Sequence, residues 1–122
     1  MFLRSFLNVF IAIMLVSCST ATTFAENSAV NIKPIVKDPE TAIVDVRIPE
    51  QFGEGSAQNA VNIPLATIND NLEFFRKQKN SVIYCNSGKQ AQEVMEILNK
   101  NGIENVYYGK TLKNIKAIQA EK

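Results

Sequence analysis

The sequence predicts an α/β fold, a single domain with a mainly parallel sheet flanked by helices. Three observations carry that expectation. Short β-branched or apolar runs alternate with segments of helical period. The links between them are short. The runs are near-continuously apolar, as in strands covered on both faces. At 122 residues, with 46% hydrophobic and 20% charged residues, the chain has room for one globular domain.

The first segments are an address. Met1 to Arg4 form a short positive region, and Phe6 to Val16 are apolar apart from Asn8. That run is shorter than the ~20 residues a membrane-spanning helix needs, and it reads as a secretory signal. Leu15-Val16-Ser17-Cys18 resembles a bacterial lipobox, giving a signal peptide over 1–17 and acylation of Cys18. The alternative is cleavage after Thr23-Phe24-Ala25, a signal peptide over 1–25. Ser19 rather than Asp after Cys18 resembles sorting signals for the outer membrane. The expected location is the periplasm, with membrane attachment through the lipid. Residues 18–31 are small and polar and read as a flexible tether, and 32–122 as the domain.

Within the domain, the turn signal Asp38-Pro39 introduces a strand over Ala42–Val46. Pro49 to Phe52 suits a brief helical turn with proline first. Ala60–Ile63 is a second strand, ended by Pro64. Thr67 is placed to cap a helix over Ile68–Arg76, with Ile68, Leu72 and Phe75 on one face. Ser81–Tyr84 is the next strand, with Cys85 at its C-terminal end. Gln90–Asn99 reads as a helix stopped by Gly102. Val106–Tyr108 is a last short strand, and Leu112–Ala120 a frayed final helix.

Composition excludes several classes of function. A net charge of +1 gives no electrostatic case for nucleic acid. The absence of histidine removes Ser-His-Asp and Cys-His machinery and most catalytic zinc sites, and no metal or cofactor is expected. Cys18 is acylated or removed on export, which leaves Cys85 as the one thiol. An unpaired cysteine in a disulfide-permissive compartment is either a reactive thiol or a small buried hydrophobe. Position tilts the choice, because sites in parallel sheets form outside the carboxyl ends of strands.

The loop Cys85-Asn86-Ser87-Gly88-Lys89-Gln90 precedes a helix whose first N–H groups lack intrahelical partners. Gly88 lets the backbone curl those groups inward, the helix dipole adds positive potential, and Lys89 adds a full charge. Such surroundings favour a thiolate without any histidine to deprotonate it.

Three ordered segments then resemble the rhodanese family. They are IVDVRIPEQF from Ile43, NAVNIPL from Asn59 and VIYCNSG from Val82. The resemblance runs from about Ala42 to Ile115 and is closest to small exported single-domain members. It implies a rhodanese-like domain and a thiosulfate sulfurtransferase working through a Cys85 persulfide. The partners it implies are thiosulfate or another sulfane-sulfur donor, and cyanide or a thiol as acceptor. Amides of residues 86 to 90 (Asn86, Ser87, Gly88, Lys89, Gln90) would cradle the anion, with Asp45 and Arg47 mainly a supporting ion pair. Tyr84 reads as core.

Departures from the family pattern are local. Ser56 stands where a histidine is usual, Asn59 replaces a glycine, Gln90 replaces an arginine, and Lys110-Thr111 replaces a Gly-Gly turn. The alternative function is a non-catalytic rhodanese-like module that carries sulfur or binds a partner protein. A cysteine phosphatase or arsenate reductase would want a bidentate arginine in the loop. A general thiol oxidoreductase would want a Cys-x-x-Cys pair.

Overall fold

A computed structural model describes residues 30–122. The expected signal run, both cleavage signals, Cys18 and most of the tether lie outside the described residues. Four strands, β1 (Thr41–Asp45), β2 (Ala60–Asn62), β3 (Asn80–Cys85) and β4 (Val106–Thr111), form one sheet in the order β2-β1-β3-β4. Every neighbouring pair is parallel. The chain steps from β1 to β2 on one side and then returns across β1 to β3 on the other. The strand order therefore reverses between β1 and β3, and a crevice opens beyond their carboxyl ends. Asp45 ends one of these strands and Cys85 the other.

Helices cover both faces. On one, α3 (Leu72–Lys77) and α4 (Lys89–Lys100) close over Val44, Ile83 and Val106. On the other, α1 (Lys33–Lys37) and α5 (Leu112–Ala120) close over Ile43, Val82 and Tyr84. This double cover explains why β3 is buried from Ser81 to Cys85 without alternation. The short α2 (Pro49–Glu54) carries the chain from β1 towards β2, with proline at its start as expected.

Three expectations are corrected by the packing. The helix expected over Ile68–Arg76 divides into a 3₁₀ stretch over Leu65–Asn71 followed by α3. Asn71 donates its side-chain amide to the Thr67 carbonyl at 2.8 Å, taking an acceptor the α-helical ladder would use. Thr67 caps nothing; its hydroxyl donates to the Pro64 carbonyl. The expected apolar face survives the change, since Ile68 and Phe75 are fully buried and Leu72 is half-buried. The final helix is not frayed. Thr111 caps it by accepting from the Asn114 N–H, and Ile115 and Ile118 anchor it to the sheet. Helix α1 had no periodic signal in its five residues, and burial of Val36 against the α5 side fixes it.

Helix α4 ends as expected. The N–H of Ile103 reaches the Leu98 carbonyl and that of Gly102 the Asn99 carbonyl, with Gly102 left-handed at φ 74°. This pair of bonds satisfies carbonyls that the helix end would otherwise leave open.

Strand β4 runs three residues beyond its expected end by means of a bulge. Tyr108 pairs with Ile83 and Lys110 with Tyr84, which leaves Gly109 extra. A Cβ on Gly109 would lie 2.8 Å from Val82 Cγ1 and 2.9 Å from Ile115 Cδ1, so only glycine fits the bulge. Lys110 follows with φ 65°. It stands where the family has glycine, and its backbone keeps the left-handed conformation that glycine adopts freely. Asn59, another substituted glycine, does the same at φ 59°, while Thr111 is extended at φ −127°. Asparagine tolerates this region, whereas a long side chain is strained by about 1 kcal/mol or more. We expect Lys110→Gly to raise stability by up to about 1 kcal/mol, measured by thermal or urea unfolding, once the entropy of an added glycine is offset.

Candidate active site

Cys85 is buried, with 1% of its surface exposed. Its Sγ accepts the N–H of Gly88 at 3.0 Å and that of Ala91 at 3.4 Å. These are the last loop residue and the third residue of α4, so the helix N-terminus aims two unpaired donors at the sulfur. The Lys110 carbonyl oxygen lies 3.8 Å away on the β4 side. A protonated thiol can donate there, while the two amides hold the sulfur when it carries negative charge.

The cradle depends on Gly88, which has φ 92° and ψ −15°. That left-handed turn bends the chain from β3 into α4 and points the Gly88 N–H back at Cys85. Of the expected amides 86 to 90, only that of Gly88 contacts the sulfur. The Lys89 N–H turns to the Ser87 hydroxyl at 3.4 Å. The second donor, Ala91, lies one residue past the expected set. Its signal was in the sequence, because the first turn of any helix leaves several N–H groups free. Asn86, Ser87, Lys89 and Gln90 are exposed around the cradle.

Asp45 and Arg47 form a buried ion pair. Arg47 Nη2 lies 2.7 Å from Asp45 Oδ2, and Nε is 3.0 Å from both carboxylate oxygens. The Arg47 backbone N–H also donates to Asp45 Oδ1 at 2.9 Å. Both residues are buried, and the Asp45 carboxylate holds the Arg47 guanidinium above its ordinary range. The remaining guanidinium donors tie distant segments. Nη2 donates to the Gly55 carbonyl at 2.6 Å, and Nη1 to the Asn86 side-chain oxygen at 3.2 Å. Arg47 thus reaches from β1 into the loop that carries the sulfur. Asn62 completes the knot by donating its side-chain amide to the carbonyls of Asp45 and Arg47.

Tyr84 is core, as expected, with a second task. Its hydroxyl oxygen accepts the Ala57 N–H at 3.1 Å, anchoring the Ser56-Ala57 stretch where the family has a histidine. Burial, opposed in part by that hydrogen bond, pushes the phenol up to about 12. A group raised in the fold contributes stability below its unfolded value and loses it as pH climbs through the folded value. Alkaline titration is therefore expected to weaken the protein between pH 10.0 and about 12. Unfolding curves across that range should show a shallower slope in Tyr84→Phe, with a remainder left from the raised Tyr108 and Lys79.

The arrangement is a sulfur atom at the sheet's switch point, held by paired backbone donors and a buried cation that fixes the loop. Comparison with known proteins agrees with the fold. A family model described as a rhodanese-like domain matches residues 28–110. Thiosulfate sulfurtransferase PspE of Escherichia coli (strain K12) is 36% identical over 74 residues, covering 59% of this chain and 71% of that one. A tRNA uridine(34) hydroxylase of Yersinia pestis (strain Pestoides F) is 29% identical over 83 residues. That match covers 63% of this chain and only 23% of the hydroxylase. A solved structure of a rhodanese with anions from E. coli aligns with TM-score 0.56 and 34% identity, covering 61% of this chain and 89% of that one. The chain belongs to the rhodanese-like family.

Proposed function

We propose that the protein is a thiosulfate sulfurtransferase that carries sulfane sulfur on Cys85. The observation that supports this most is the pairing of Gly88 and Ala91 N–H groups on Cys85 Sγ at the end of β3. The Cys85 thiolate attacks the outer sulfur of thiosulfate, the S–S bond to the sulfonate breaks, and sulfite leaves with that electron pair. Cys85 then holds a persulfide anion. Cyanide attacks the outer sulfur, leaves as thiocyanate and regenerates the thiolate; a small thiol can take the sulfur in its place. Two half-reactions through a covalent intermediate give ping-pong kinetics. The backbone donors do not have to reorganise as charge moves between sulfur atoms, which is how a preformed cradle lowers the barrier.

Roles of the neighbours follow from their contacts. Lys89 is exposed beside the loop and attracts an anionic donor. Arg47 is engaged by Asp45, Gly55 and Asn86, so it acts by holding the loop. Intact-mass analysis after thiosulfate treatment should show one added sulfur on the protein, removed by cyanide, and none on Cys85→Ser. A wild-type protein that never gains sulfur would mark a non-catalytic module and sink the enzymatic reading.

Export and lipid attachment belong to the same proposal and rest on residues 1–25 of the sequence. Radiolabelled palmitate should enter the protein and be lost in Cys18→Ala. N-terminal sequencing that begins at Glu26 would replace the anchor with simple secretion.

A further inference from the structure

Tyr108 has no part in the sequence reading beyond its place in a strand, and its position in the sheet gives it one. In the β3–β4 register it pairs with Ile83, two residues before Cys85. Alternate residues of a strand share a face, so Tyr108 stands on the face that Cys85 uses. It packs against the same apolar cluster, which contains Ile83, Cys85 and Ala91. From there its hydroxyl donates to the Gly88 carbonyl at 3.1 Å.

The hydroxyl also fills the space over the Gly88 Cα, where a Cβ would overlap it. The Gly88 carbonyl has one other partner, the Gln92 N–H at 3.1 Å, which is part of the first turn of α4. Gly88 is thus gripped on both sides. Its N–H is spent on the sulfur and its carbonyl on Tyr108 and the helix. A left-handed glycine sits in a shallow conformational well, so external contacts decide where its N–H points. Burial and the nearby negative charge of Cys85 both hold the Tyr108 phenol in its protonated, donating form.

We propose that Tyr108 is a positioning residue for Cys85, its hydroxyl fixing the Gly88 carbonyl and, through the Gly88 backbone torsions, the N–H of the same residue that holds the reactive sulfur. The proposal rests on Cys85 being the nucleophile assigned above. Its test uses alkylation, which needs no sulfur donor. A protein that never gains sulfur from thiosulfate can therefore still show, or fail to show, the Tyr108 effect.

The measurement compares wild type with Tyr108→Phe in the full chain. Two quantities are read: the rate of Cys85 alkylation by iodoacetamide at one fixed pH, and the Gly88 amide proton resonance in ¹⁵N-labelled protein. The expected result is alkylation about three- to tenfold slower, the worth of one net hydrogen bond, with the Gly88 resonance shifted and the melting temperature preserved. A role in packing alone would leave the Gly88 resonance in place. Tyr108→Leu removes ring and hydroxyl together, and should slow alkylation no more than Tyr108→Phe does. Alkylation within about twofold of wild type, an unmoved Gly88 resonance, or a further large loss in Tyr108→Leu would each overturn the proposal.

Discussion

The buried Arg47–Asp45 pair is the interaction on which the site depends. Two charges removed from water are costly, and the cost is offset only when geometry is good and every remaining donor and acceptor is used. The pair comes close to that condition, with Nη1 making a single hydrogen bond. The carboxylate receives three side-chain contacts within 3.0 Å and a backbone N–H, while the guanidinium goes on to Gly55 and Asn86. Loss of either partner would strand a buried charge, typically at about 3–5 kcal/mol. The same atoms that satisfy the charge also tie β1 to the loop after α2 and to the sulfur-bearing loop after β3. Desolvation thus makes the knot obligatory, and the knot sets the distance between the two edges of the crevice.

Around that fixed frame the sulfur is held mainly by backbone. Gly88 and Ala91 supply N–H groups, and the Lys110 carbonyl lies on the other side. Such a cradle recognises charge and size and makes few demands on side chains. This explains how the chain departs from its family at Ser56 and Gln90 while the described contacts to Cys85 come from main-chain atoms. Two of the three substituted glycines make the same point. Asn59 and Lys110 both retain positive φ, so the backbone path persists although the residue best suited to it has been replaced. Fold constraints at those places outweigh local preference: Gly109 is packed against Val82 and Ile115, and Asn114 donates its side-chain amide to the Gly109 carbonyl.

Patterning made much of the fold legible. The apolar runs around Ile43 and Val82 read as doubly covered strands because burial on both faces suppresses alternation. Cys85 was visible as the candidate nucleophile from the lack of histidine, its place after a strand, and Gly88 before a helix. Short-range chemistry was less legible where it competed with itself. Thr67 looked like a cap, yet Asn71 captured the Thr67 carbonyl and the turn tightened to 3₁₀. Whether a polar side chain bonds its own backbone or begins a helix is a difference of about one hydrogen bond, too small to read from residue type.

By itself the sequence determined the α/β alternation, the strand that carries Cys85, the glycine that lets its loop curl, and the family resemblance. These are properties of local order: period, turn residues and motifs contiguous along the chain. Tertiary structure alone decided which distant groups converge on the sulfur. Arg47 and Asn86 are 39 residues apart, and Tyr108 meets Gly88 across 20. Lys110 joined the site only because the parallel register sets β4 beside β3. A hydrogen bond acts over about 3 Å, and the sequence distance between its partners carries no record of that proximity until the sheet has formed.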